Sequence, residues 1–263
     1  MKKFLFIVML AFGLSTASAW NVTLDEGILK LAVKNLSVQA QDELYQYLGD
    51  TYRDDVRYLY NIESKKKFSH SKEIHYLHLD SEFRPLATTT ANDDALKAIE
   101  AAADIVRHRT QHPKAKVVTA LRTIINLMCD MHNPGYVRIE GIPHSQQDFT
   151  VTFRAADMGK KMSETKRTKW SRFWSFSPNG FTSDLWVEDI EACNDHRRAE
   201  FSKGTLNDWA AEVGKFAAKN LEEITPETVL TLQHRNTLTQ EVTCDWVARA
   251  SFRLTVLLNE LFK

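Results

Sequence analysis

Wherever apolar residues cluster in this chain they recur at three- and four-residue intervals, which commits most of it to helix. Between Asp93 and Asp130 the pattern runs twice in succession. Ala95, Ile99, Ala102, Ala103 and Val106 form one stripe, and Val117, Val118, Leu121, Ile124, Ile125 and Met128 form the next. Asp93 and Asp94 stand at the start of the first stripe, where carboxylates suit the positive end of a helix. The second stops at Asn133-Pro134-Gly135, which cannot continue it. Ile28, Leu29, Leu31, Ala32 and Leu36 mark an earlier helix, and residues 209–221 a later one. Thr225-Pro226-Glu227 reads as the capped, proline-initiated start of another. Val242, Trp246, Ala250, Leu254, Leu257 and Leu261 line a closing helix over residues 239–262. Only Phe149-Thr150-Val151-Thr152-Phe153 alternates like a strand. With 9 Gly and 6 Pro in 263 residues, the many tight turns of a sandwich or barrel are disfavoured. A mostly α single domain is expected, without repeats or linkers.

Residues 1–19 read as an export leader: basic Lys2-Lys3, an apolar run from Phe4 to Leu14, and an Ala17-Ser18-Ala19 cleavage site. The mature domain is therefore expected to span 20–263, begin at Trp20, and be periplasmic or secreted. No later stretch approaches the ~20 apolar residues of a transmembrane helix. Lys+Arg and Asp+Glu both number 34; losing Lys2 and Lys3 leaves 32 basic against 34 acidic groups, a net of −2. That balance excludes a globally basic nucleic-acid or membrane binder and makes any affinity for polyanions local. Three cysteines, Cys129, Cys193 and Cys244, are too few for a disulfide framework; a Cys193–Cys244 bridge and three buried thiols both remain open.

No HExxH, CxxC or GxSxG motif decides the chemistry. Trp20, once freed by cleavage, offers an α-amine and a carbonyl that can chelate a metal in a five-membered ring. Asp54-Asp55-Val56-Arg57 sets carboxylates beside a cation on a helical stretch, with a surface ion pair as the plainer reading. His75 and His78 offer imidazoles. Asp130 ends an apolar helix, where an unpartnered carboxylate is costly and a cation or donor is expected beside it. Asp184 and Glu188 lie one turn apart, although capping by Asp184 is the simpler reading. Residues 159–176 interleave Lys160, Lys161, Lys166, Arg167, Lys169 and Arg172 with Trp170, Phe173, Trp174 and Phe176. This stretch is either a single-strand binding surface, with rings stacking on bases, or a solvated basic segment whose rings anchor inward.

In order and spacing these features resemble the S1/P1 nucleases, secreted zinc enzymes that cut single-stranded nucleic acid and 3′-nucleotides. The resemblance rests on the mature start at Trp20, Asp54 to Arg57, His75-Tyr76-Leu77, the Asn126-to-Tyr136 stretch, which is similar to H-x-x-G-D-x-H-Q-P-L-H, and the Phe252-to-Phe262 ending. It implies a helical bundle of the phospholipase C/P1 nuclease type with a small β-hairpin. It also implies metal-ligand roles for Trp20, Asp54, His75 and Asp130, with Asp25 at the place of an early His. Asp54 would orient water and Arg57 would hold phosphate. The departures fall on the ligands: Asn126 and Tyr136 replace imidazoles, and the later His-bearing segment falls within residues 182–190, which contain no His. His132 is retained, but at its place in the motif the family's His is not a metal ligand. Fewer than three zinc ions are therefore expected, with Mg²⁺ or Mn²⁺ as harder alternatives for a carboxylate-rich site. Two functions follow: a metal-dependent phosphodiesterase acting on single-stranded nucleic acid or nucleotides with a remodelled site, or a non-catalytic binding protein on the same scaffold and without a metal. A phospholipid substrate is a minor third, since the phospholipase C group shares the fold.

Overall fold

Sixteen consecutive residues, 124–139, are buried, and this run sets where the remaining elements go. The computed structural model describes Trp20 and residues 22–49, 72–154, 165–174 and 182–263. Helices α1 (Val22–Lys34) and α2 (Val38–Leu48) are followed by a 3-10 turn (Lys72–His75) and strand β1 (Leu77–Leu79). Helices α3 (Ala95–Arg107) and α4 (Lys114–Met131) pack against each other, and β2 (Val137–Ile139), β3 (Thr150–Arg154), β4 (Thr165–Lys169) and the short α5 (Trp170–Phe173) come next. Helices α6 (Ser183–Asn194), α7 (Arg198–Phe201) and α8 (Leu206–Glu223), strand β5 (Val229–Thr231) and α9 (Leu232–Leu261) complete the order. The protein is mostly helical with a few short strands.

Local chemistry explains where the elements begin. Asp94, fully buried, caps α3 by accepting from Lys97 N at 3.0 Å, and its second oxygen accepts from His78 N at 3.0 Å. One carboxylate thus starts a helix and fastens β1 to it. Helix α8 opens with a capping box between Thr205 and Asp208. Helix α4 ends because Pro134 cannot continue it, and the Asn133 side chain accepts from Gly135 N at 2.8 Å.

The strands form two small sheets. β1 and β2 pair in parallel, with Leu77 opposite Val137 and Leu79 opposite Ile139. β3 lies between antiparallel β4 and parallel β5. Val151 and Phe153 of β3 are buried, while β4 carries Lys166, Arg167 and Lys169 into solvent as an edge strand whose charges discourage further pairing.

Several sequence expectations require correction. Thr225-Pro226-Glu227 forms a turn, not a helix start: Thr225 N donates to Thr228 Oγ1 at 2.9 Å, and the chain then enters β5. The closing helix begins at Leu232, capped by Thr231, because β5 hands the chain directly to it. Thr182, not Asp184, caps α6, accepting from Leu185 N at 3.3 Å. All three cysteines are free thiols, and of these Cys129 is buried and Cys193 exposed.

The end of α4 is clamped from two sides. His132 is fully buried; its Nδ1–H donates to Met128 O at 2.7 Å and its Nε2 accepts from Arg253 at 3.3 Å. Arg253 in turn donates to Phe201 O at 2.8 Å and pairs with Glu212, joining α9, α7 and α8. Burial, then the Arg253 charge, push the imidazole down to about 3. Between pH 6.5 and 3 the unfolded chain therefore takes up a proton that the folded chain refuses, and stability falls as pH falls through that window. The loss should approach ~1.4 kcal/mol per pH unit within it. Urea midpoints measured from pH 7 to 4 should show a steeper acid slope in the wild type than in His132→Gln.

On the other side, a Cβ built at Gly135 would lie 2.5 Å from Ser171 Cα and 2.8 Å from Trp170 O, so the backbones of the 134–136 turn and α5 are in direct contact. Gly135→Ala should destabilise by about 1–3 kcal/mol through overpacking, read as a lower urea midpoint.

Candidate functional site

The buried end of α4 gathers residues from separate stretches of chain. The Trp20 indole is 1% exposed and its Nε1 donates to Cys129 O at 3.0 Å, seating it beside Asp130. Asp25, in the first turn of α1, is equally buried. The 3-10 turn delivers His75, whose Nδ1–H donates to the Asp130 carboxylate at 2.7 Å. That bond fixes the tautomer and leaves Nε2 carrying the lone pair.

Tyr136 closes the cluster. Its ring lies edge-on to His75 at 6.5 Å and tilted against Tyr76 at 5.1 Å. Burial raises the phenol well above its usual value, and the charges of Asp130, Asp148 and Asp25 add to the rise. Tyr136 is therefore a protonated phenol throughout the physiological range. Burial likewise raises the Cys129 thiol, reinforced by Asp25 and Asp130, so it is neutral and unreactive. Carboxylates thus sit among neutral groups, with the His75 imidazole as the direct partner of Asp130.

Four candidates, Trp20, Asp25, His75 and Asp130, are brought to this one region. Asp54 and Arg57 lie outside the described residues. Asn126 folds its amide back onto its own helix, donating to Arg122 O at 2.9 Å. Asp184 is exposed and pairs with Lys30 at 2.7 Å, and Glu188 is exposed. His78 is half-buried, with Nε2 4.0 Å from Glu73; burial lowers its imidazole despite Asp94 and Glu73.

These donors do not fit a three-zinc centre. Two ligands of one tetrahedral zinc lie about 3.3 Å apart at Zn–N/O distances near ~2.0 Å. His75 and Asp130 are closer than that, at hydrogen-bonding distance. A protonated phenol is not an imidazole's equal as a donor, and among the described residues no three His, Cys, Asp or Glu side chains are arranged to hold a metal ion.

The basic aromatic stretch resolves toward anchoring. Trp170, Phe173 and Trp174 are fully buried, and Phe149 stacks on Trp170 at 5.2 Å. Their faces are occupied by one another, so they offer no platform for bases. Lys166, Arg167, Lys169 and Arg172 remain on the surface.

Sequence reasoning did not single out Tyr76, Asp148 or Arg138. Asp148 accepts from Ser171 N and Oγ, both at 2.9 Å, tying α5 to the loop before β3. Arg138 had a readable signal, a cation set between Val137 and Ile139 in an apolar run.

No protein-family model matches the chain, and no curated protein matches it. If the His75–Asp130 bond holds the site together, His75→Ala should cost about 3–5 kcal/mol by leaving a buried carboxylate without its donor. The double variant His75→Ala/Asp130→Ala should recover part of that loss. Chemical denaturation of the four-member cycle measures both.

Proposed function

We propose that this protein is an exported relative of the S1/P1 nucleases that keeps their helical scaffold and acts as a binding protein, its centre remodelled away from the three-zinc form. The observation that carries this reading is the 2.7 Å bond between His75 and Asp130, two residues to which the resemblance gives metal-ligand roles. Each here satisfies the other in a buried setting. Tyr136, where the motif has an imidazole, is a protonated phenol, and Asn126, at another such place, is turned to its own helix. The leader-like residues 1–19 support export.

A second reading, a metal-dependent phosphodiesterase or endonuclease for single-stranded nucleic acid or 3′-nucleotides, draws support from a different observation. Trp20, Asp25, His75 and Asp130 come from separate parts of the chain and meet at the end of α4. A set richer in carboxylates than imidazoles would favour Mg²⁺ or Mn²⁺ over Zn²⁺, with Asp54 and Arg57 in the roles the resemblance implies.

One experiment separates the readings. The exported protein should begin at Trp20 by N-terminal sequencing. Its metal content is then measured by mass spectrometry, and cleavage of single-stranded DNA is assayed with added Zn²⁺, Mg²⁺ and Mn²⁺. Substoichiometric metal and no cleavage above the buffer blank are expected. Three tightly bound zinc ions with cleavage would overturn the proposal. A bound ion that is lost when one extra residue precedes Trp20, accompanied by cleavage, would establish the second reading.

A further inference from the structure

Arg138 is the buried cation of the 124–139 run, 5% exposed, and it lines a cleft of about 240 Å³ between β1, β2 and the 140–146 loop. Its guanidinium lies over the Tyr76 ring at 3.7 Å and donates through Nη1 to Ser145 O at 2.7 Å. Its Nε is buried without a hydrogen-bond partner. Among the described residues no carboxylate forms an ion pair with it; Glu140 stands exposed on the same cleft, unpaired with it. A cation this enclosed ordinarily has a counter-charge, because its desolvation is offset neither by a ring face nor by a single carbonyl.

The rest of the cleft says what kind of anion belongs there. Leu79, Leu86, Ile142 and Pro143 supply most of its wall. Its volume falls below the ~300–1,000 Å³ of sites for drug-sized ligands, so the occupant is small. An inorganic anion would satisfy the guanidinium but leave the apolar wall uncovered. A neutral apolar molecule would do the reverse. A planar carboxylate matches the guanidinium fork, and a short alkyl group matches the wall.

We propose that Arg138 and this cleft form a binding site for a small carboxylate bearing a short apolar chain. The site is separate from the His75–Asp130 cluster and does not depend on how that cluster is read. Tyr76 touches both, stacking on Tyr136 and lying beneath Arg138, so a ligand at Arg138 has a direct packing route to the cluster.

Isothermal titration of the full mature chain with hexanoate, hexanol and inorganic phosphate tests this. Hexanoate should bind one-to-one, and hexanol and phosphate at least tenfold more weakly. Arg138→Gln should weaken hexanoate at least tenfold, in keeping with the loss of a charged hydrogen bond. Ile142→Trp fills the cleft without touching the guanidinium and should abolish binding, while Glu140→Gln should tighten it. Should Arg138→Gln fail to fold, the other two variants still decide the matter. No hexanoate binding, binding that survives Ile142→Trp, or equal affinity for hexanol or phosphate would each overturn the proposal.

Discussion

Burial of the segment from α4 through β2 is the constraint on which the rest of this structure depends. A run of sixteen buried residues that includes Asn126, Asp130, His132, Asn133 and Arg138 cannot be covered by apolar packing alone. Each polar group demands a partner, and the partners come from distant elements. The 3-10 turn before β1 supplies His75 to Asp130, and α9 supplies Arg253 to His132. Much of the tertiary arrangement can be understood as the delivery of those partners.

The same constraint bears on chemistry. A buried carboxylate is stabilised by a metal ion or by a hydrogen-bond donor, and the two solutions call for different spacings. Here His75 and Asp130 adopt the spacing of a hydrogen bond, while Tyr136 contributes a neutral ring packed on Tyr76 where a second imidazole would otherwise add a donor. Replacing imidazole with phenol exchanges a ligand for packing area. It also raises the cost of charge nearby, which is why burial and the neighbouring carboxylates act in the same direction on the Tyr136 phenol.

Away from that centre, the 149–174 region shows how an apparent binding surface is turned into a core. Trp170, Phe173 and Trp174 pack on Phe149 and one another beneath a charged edge strand, and Gly135 lets the backbone after α4 touch α5. The basic residues stay in solvent because β4 is an edge strand and its side chains need cover nothing. Arg138 is the exception to the rule that buried charge is answered from within the described residues, and for that reason it marks a place for something else.

The helical character of the chain, the stripes of α3 and α4, the stop at Pro134 and the expectation that Asp130 needs a partner were all legible in the sequence. They follow from periodicity and from the cost of burying charge, which act within a few residues. The three-residue strands β1, β2 and β5 were not legible, since so short a strand has no alternation to read. Thr225-Pro226-Glu227 carries signals common to a helix start and a turn; the turn wins because β5 finds its pairing on β3. Asp184 was outcompeted as a cap by Thr182, and Lys30 from α1 then took its charge. Local chemistry therefore determined which segments coil and which polar residues would be costly. Only the tertiary structure decided who partners whom, because His75 with Asp130 and Arg253 with His132 are matched by packing between elements far apart in the chain, and no spacing along the chain encodes that.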